Sequence, residues 1–121
     1  MSRPPTVLIV DDDPQILRLV ESMLGARKVN VVVAPRPSAA LEICQRQAVD
    51  LLISDIVMPE MDGTKLAERV LKLHPSARIL LISGQAREVP SLSKSRRVHF
   101  LRKPFFPAQL IDCLRELLPE A

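Results

Sequence analysis

Four short stretches of this chain carry residues able to do chemistry. Asp11, Asp12 and Asp13 are consecutive and run into Pro14, Asp55 follows an apolar run, Ser83-Gly84 follows another, and Lys103 precedes Pro104 and Phe105. Asp13 has a structural account, because Asp is a favoured helix N-cap and Pro suits the first helical position. Asp11 and Asp12 are not explained that way. Neighbouring carboxylates raise each other's proton affinity unless a cation relieves the repulsion. A few hard oxygen donors suit Mg²⁺, which keeps several waters and is commonly completed by phosphate. The Ser83 hydroxyl could donate to a phosphoryl oxygen, Gly84 would let a ligand approach the backbone, and Lys103 offers an anion a point charge. Alone, Ser-Gly is an ordinary turn and a single Lys an ordinary surface residue. Together they supply two acids for a metal, a nucleophilic acid, a hydroxyl and a cation. Phosphoryl transfer needs that combination, with a carboxylate attacking phosphorus while Mg²⁺ and Lys offset charge on the equatorial oxygens.

These residues act together only if the chain gathers them. Apolar runs rich in β-branched residues at 6–10, 30–33, 50–54, 78–82 and 98–101 read as five strands, and their mostly continuous hydrophobicity predicts a parallel sheet covered on both faces. Helical spacing appears between and after them, as in Ile16, Val20, Met23 and Leu24, in Leu66, Ala67, Val70 and Leu71, and in Leu110, Cys113, Leu114, Leu117 and Leu118. Pro35 and Pro37 punctuate the second strand-to-helix turn, Gly25 and His74-Pro75 mark helix exits, and Pro119 closes the last helix. Strand and helix alternate five times, the pattern of a doubly wound α/β sheet with helices on both faces. Ligands in such sheets bind at the carboxyl ends of the strands. With strand three beside strand one, Asp55 joins Asp11 and Asp12 there.

Composition sets the outer bounds. The 121 residues suffice for one domain, expected over 1–121 with a core over about 6–118, and 47% are hydrophobic, so the core must be aliphatic given three Phe and no Trp or Tyr. That leaves no set of stacking rings for single-stranded nucleic acid. The net charge of +3 is spread along the chain rather than gathered in a stripe, so direct nucleic-acid binding is not expected. Cys44 and Cys113 lack metal-site spacing and read as reduced thiols. The first apolar run is too short for a secretion signal or a membrane span, which places the protein in the cytoplasm with no membrane partner.

Four motifs in order, Val10-Asp-Asp-Asp-Pro14, Asp55-Ile-Val-Met-Pro-Glu-Met-Asp-Gly63, Ile82-Ser-Gly84 and Phe100-Leu-Arg-Lys-Pro-Phe105, resemble the receiver domain of bacterial two-component response regulators over essentially the whole chain. The resemblance implies a flavodoxin-like five-stranded parallel sheet of order 2-1-3-4-5. It implies that Asp55 is the phosphoacceptor, that Asp12, Asp55 and the Val57 backbone carbonyl hold Mg²⁺, and that Asp11 reaches the metal through a water. Ser83 and Lys103 would bind the phosphoryl group, with Ser83 and Phe100 as switch residues. A cis Lys103-Pro104 bond is also implied, and in this strand order Cys44 and Cys113 lie on opposite faces of the sheet. Val57 and Gln85 fall where relatives tune acyl-phosphate lifetime, and the Met58-Pro59 and Asp62-Gly63 pairs shape the loop after the acceptor. The donor would be a sensor histidine kinase or a histidine phosphotransfer protein. The output partner, or a second copy of the chain, would dock on the face made by helix 4, strand 5 and helix 5.

The chain departs from this pattern over 87–97. Pro90, Ser91, Ser93 and Ser95 are poor residues for a helix interior, so a short or frayed fourth helix is expected. Arg87, Lys94, Arg96, Arg97 and Arg102 make the stretch locally basic, which suits either an acidic partner or plain solvation. His74 and His99 read as structural. Apart from its own phosphorylation and dephosphorylation, no enzymatic turnover is expected. Competing readings include an aspartate-nucleophile phosphatase, disfavoured because Asp55-Ile56-Val57 lacks a second acid, and an FMN carrier, disfavoured by the missing phosphate loop and aromatic rings. A degenerate receiver that binds partners without phosphorylation also competes.

Overall fold

A computed structural model describes residues 4–25, 27–84 and 97–118. Five strands, β1 (Thr6–Val10), β2 (Asn30–Ala34), β3 (Leu51–Asp55), β4 (Arg78–Ser83) and β5 (Val98–Arg102), form one parallel sheet in the order β2-β1-β3-β4-β5. Burial follows position in the sheet. The three inner strands are almost wholly buried, whereas β2 and β5, at the two edges, expose part of their length. This is why the inner strands read as uninterrupted apolar runs.

Four helices are found among the described residues: α1 (Pro14–Leu24), α2 (Pro37–Arg46), α3 (Gly63–Leu73) and α4 (Pro107–Leu117), the last being the one the sequence reading counts fifth. The expected fourth helix, together with Gln85 and most of the basic stretch, lies outside the described residues. Strand side chains alternate between the two faces, and the core divides accordingly. Leu8, Val10, Leu52, Ile79, Leu81 and Val98 pack with α2 and α3, whereas Val7, Ile9, Leu51, Ile53, Leu80, Ile82 and Leu101 pack with α1 and α4. Cys44 belongs to the first half and Cys113 packs against the second, so the two free thiols stand on opposite sides of the sheet, as expected. No helix among the described residues is long and apolar enough to cross a membrane.

The strand register does the positioning. Val10 pairs with Ser54, Asp55 with Ile82 and Ser83 with Arg102, so Asp11, Asp55, Ser83 and Lys103 all emerge at the carboxyl edge of neighbouring strands. Strand ends differ from the sequence reading by one residue: β2, β3, β4 and β5 run on to Ala34, Asp55, Ser83 and Arg102, and β3 also starts one residue later. β3 begins at Leu51 and runs through Asp55 itself; Asp50, just before it, bonds by backbone to Thr6 and Arg78, and its carboxylate accepts from the Thr6 N–H at 2.7 Å. Leu52 is fully buried in the central strand against α2 and α3. Leu52→Ala is expected to cost about 3 kcal/mol of stability, read as a lowered urea midpoint with an unchanged denaturant slope.

Candidate functional site

The acidic corner is assembled by strand ends and one helix start. Asp11 follows β1 and is 1% exposed, and its Oδ1 accepts from the Asp13 N–H at 2.9 Å. Asp13 in turn caps α1, accepting from the Gln15 N–H at 2.9 Å with Pro14 in the first turn, which is the capping role read from the sequence. Asp12 is exposed. Asp55 ends β3, and its Oδ1 accepts from the Val57 N–H at 3.3 Å. Carboxylate oxygens of Asp11, Asp12 and Asp55 lie within 4.8 Å of one another.

Lys103 reaches this corner from the end of β5. Its Nζ lies 3.1 Å from Asp55 Oδ2 and 3.7 Å from Asp11 Oδ2. Burial pulls the Lys103 pKa down, but the hydrogen bond to Asp55 and the charges of Asp11 and Asp55 outweigh it and leave the pKa raised. The balance at Asp11 runs the other way. Burial pushes its carboxyl up to about 6, with Asp55 and Asp12 adding to the rise and the Asp13 N–H and Lys103 opposing it. Three carboxylates facing one ammonium group leave the cluster with an excess of negative charge. Three converging carboxylates, one of them buried, form the donor set that suits a hard divalent cation.

The remaining predicted residues fall as follows. Ser83 is buried at the end of β4, and its carbonyl accepts from the Lys103 N–H at 2.9 Å, tying the hydroxyl-bearing residue to the lysine by backbone. The Lys103-Pro104 bond is cis, as expected. Phe100 sits half-buried on β5 against the α2 and α3 side of the core. Val57, two residues beyond Asp55, is 59% exposed. At Gly84 a Cβ would meet only the Lys103 stem, at an ordinary 3.5 Å, so protein packing does not require glycine there. His74 is structural, its Nε2 lying 2.7 Å from the Cys44 carbonyl and linking α3 to α2, and His99 Nδ1 lies 3.2 Å from Glu116 on α4. A groove of about 570 Å³ lined by Ile16, Leu19, Gly84, Lys103, Pro104 and Phe105 opens on the flank of Lys103.

Two residues of the site carry more weight than the sequence reading gave them. Gly63 donates to the Ile56 carbonyl at 2.8 Å, and a Cβ at this position would lie 2.1 Å from the Asp55 carbonyl oxygen. The same carbonyl accepts from Ser54 Oγ at 2.8 Å. The backbone of Asp55 is thus pinned from two sides. Asp62 caps α3 through the Lys65 N–H at 2.9 Å. The Asp-Gly pair signalled a turn, whereas the close approach at Gly63 depends on contacts between chain segments that no local motif displays.

Residues 7–115 match the family model described as the response regulator receiver domain. The response regulator receiver protein CpdR of Brucella abortus is 32% identical over 93% of this chain and 95% of its own length. The sensor kinase CckA of the same organism is 34% identical over 98% of this chain, which corresponds to 13% of that much longer protein. Among solved structures, the CheY-like receiver domain protein of Methanospirillum hungatei superposes with a TM-score of 0.87 at 29% identity, covering 97% of this chain and 95% of its own.

Two outcomes follow from the geometry. A carboxyl whose pKa is raised on folding contributes most stability below its unfolded value and loses it as pH rises through the folded value. In protein stripped of divalent cations, the stability of Asp11→Asn relative to the parent therefore rises between pH 4 and pH 6 and levels off above, by about 3 kcal/mol at most, read by thermal melts across that range. Gly63→Ala forces a methyl group into the Asp55 carbonyl and is expected to destabilise by about 3 kcal/mol, read by urea denaturation.

Proposed function

Because this chain belongs to the response regulator receiver domain family, we propose that it is a phosphoacceptor switch in which Asp55 takes a phosphoryl group from a histidine kinase or a histidine phosphotransfer protein. The contact of Lys103 with Asp55 beside two further acids carries this reading. In a domain expected to span 1–121, Asp11, Asp12, Asp55 and the Val57 carbonyl would hold Mg²⁺. When bound, that ion offsets negative charge on the phosphoryl oxygens.

The chain's own residues account for the rest. A carboxylate oxygen of Asp55 attacks phosphorus in line with the donor nitrogen, the O–P bond forms as the N–P bond breaks, and the imidazole leaves with the electron pair. Lys103 Nζ already hydrogen-bonds an Asp55 oxygen and is placed to hold a phosphoryl oxygen instead. The Ser83 hydroxyl donates to another, and the change at Ser83 is passed to Phe100 on the neighbouring strand, where Leu81 and Phe100 are register partners. The product is a shifted conformational population with altered affinity for a partner. The output surface is the face containing β5 and α4, which serves an output partner or a second copy of the chain. The apolar groove flanking Lys103 offers an approaching donor domain surface to bury. The protein acts in the cytoplasm and turns over no external substrate.

Incubation with acetyl phosphate and Mg²⁺ is expected to add the mass of one phosphoryl group to the native chain and none to Asp55→Asn, as read by intact mass spectrometry. Beryllofluoride should bind the native chain alone. The absence of both adducts from the native chain would favour the degenerate binding module.

A further inference from the structure

The loop between β3 and α3 contains a residue whose conformation needs explaining. Glu60 has a φ of 74°, the only positive φ among the described non-glycine residues, and the Met61 N–H donates to the Pro59 carbonyl across it at 2.9 Å. This is the rare left-handed γ-turn, and a residue with a Cβ remains in it only where the surroundings over-determine the geometry. The holding contact is distant in sequence. The Glu60 carboxylate accepts from the Ser38 backbone N–H at 3.1 Å and from Ser38 Oγ at 3.3 Å.

Ser38 lies in the first turn of α2, where unpaired N–H groups and the helix dipole favour a negative charge. The helix does not supply that charge itself: its N-cap is Arg36, which makes no side-chain capping bond, Pro37 has no N–H, and the first turn contains no acid. Glu60 therefore caps α2 from another loop. Met58 and Met61 on either side pack against the same core cluster as Ala39, Leu41 and Ile43 of α2. At its far end the loop closes on Ile56 through Gly63. The segment that positions Val57 at the acidic corner is thus fastened at its middle to α2.

We propose that Glu60 is a positioning residue for the phosphoacceptor: by capping α2 it holds the 56–62 loop in the left-handed turn that sets Val57 beside Asp55. This rests on the phosphoacceptor reading for its consequence, though not for its geometry.

The test compares Glu60→Ala, Glu60→Gln and Glu60→Gly by Mg²⁺ titration calorimetry, by the initial rate of modification with acetyl phosphate, and by hydrogen exchange at the Gly63 amide. Glu60→Ala is expected to weaken Mg²⁺ binding and slow modification by about fivefold, the factor that one helix cap is worth. Glu60→Gln keeps an acceptor for the Ser38 N–H and should recover most of the loss. Glu60→Gly relaxes the turn but cannot cap, so it should remain as weak as Glu60→Ala. A lowered melting temperature with native Mg²⁺ affinity and rate in Glu60→Ala, or full recovery in Glu60→Gly, overturns the proposal. If the native chain itself takes neither Mg²⁺ nor a phosphoryl group, the phosphoacceptor reading fails on that control. Gly63 exchange then decides the clamp, faster in Glu60→Ala than in Glu60→Gln upholding it and equal rates overturning it.

Discussion

Everything at the carboxyl edge of this sheet answers to the repulsion among three carboxylates held within 4.8 Å of one another. Such a cluster is stable only if each acid is separately restrained and some positive charge is brought to it. Asp11 is restrained by the turn into α1, Asp55 by the end of β3 and the Val57 N–H, and the positive charge comes from Lys103 across β4. Burial of Asp11 sharpens the conflict, since a charged group removed from water gains most from a nearby cation. The site therefore holds an excess of negative charge that a divalent cation is suited to balance.

The scaffold serves this by rigidity. Inner strands buried on both faces leave the sheet little freedom, and the backbone bond from Lys103 to Ser83 fixes the lysine relative to the neighbouring strand. Asp55 is held in a similar way, with Ser54 on one side of its carbonyl and Gly63 on the other. The loop that follows is less regular, carrying the left-handed turn at Glu60 and two methionines packed into the core.

How much of this could be read from residues alone depended on range. The strands were legible because burial on both faces writes itself as unbroken apolar runs, and the acids, Ser83 and Lys103 were legible because each follows such a run directly. Asp13 with Pro14 was a local capping signal and behaved as one. Strand ends were legible only to within a residue, since Ala34, Asp55, Ser83 and Arg102 join the ladder through neighbouring strands rather than through their own apolar character. Gly63 and Glu60 were present in a recognisable motif, but their physical roles come from Asp55 and Ser38, which approach only after folding. Contacts set by tertiary approach leave no periodicity to read.

Among the described residues the sheet also divides the interior into two cores that share no side chains: one packs α1 and α4, and the other packs α2, α3 and the loop after Asp55. Substitutions at sites without shared partners combine almost additively. Packing changes deep in one half, away from the turn of Asp11 into α1 and from the groove beside Lys103, therefore need not compound those made in the other. A repair in either compartment is judged by its own neighbours, so a loss of fit on one side of the sheet is mended on that side.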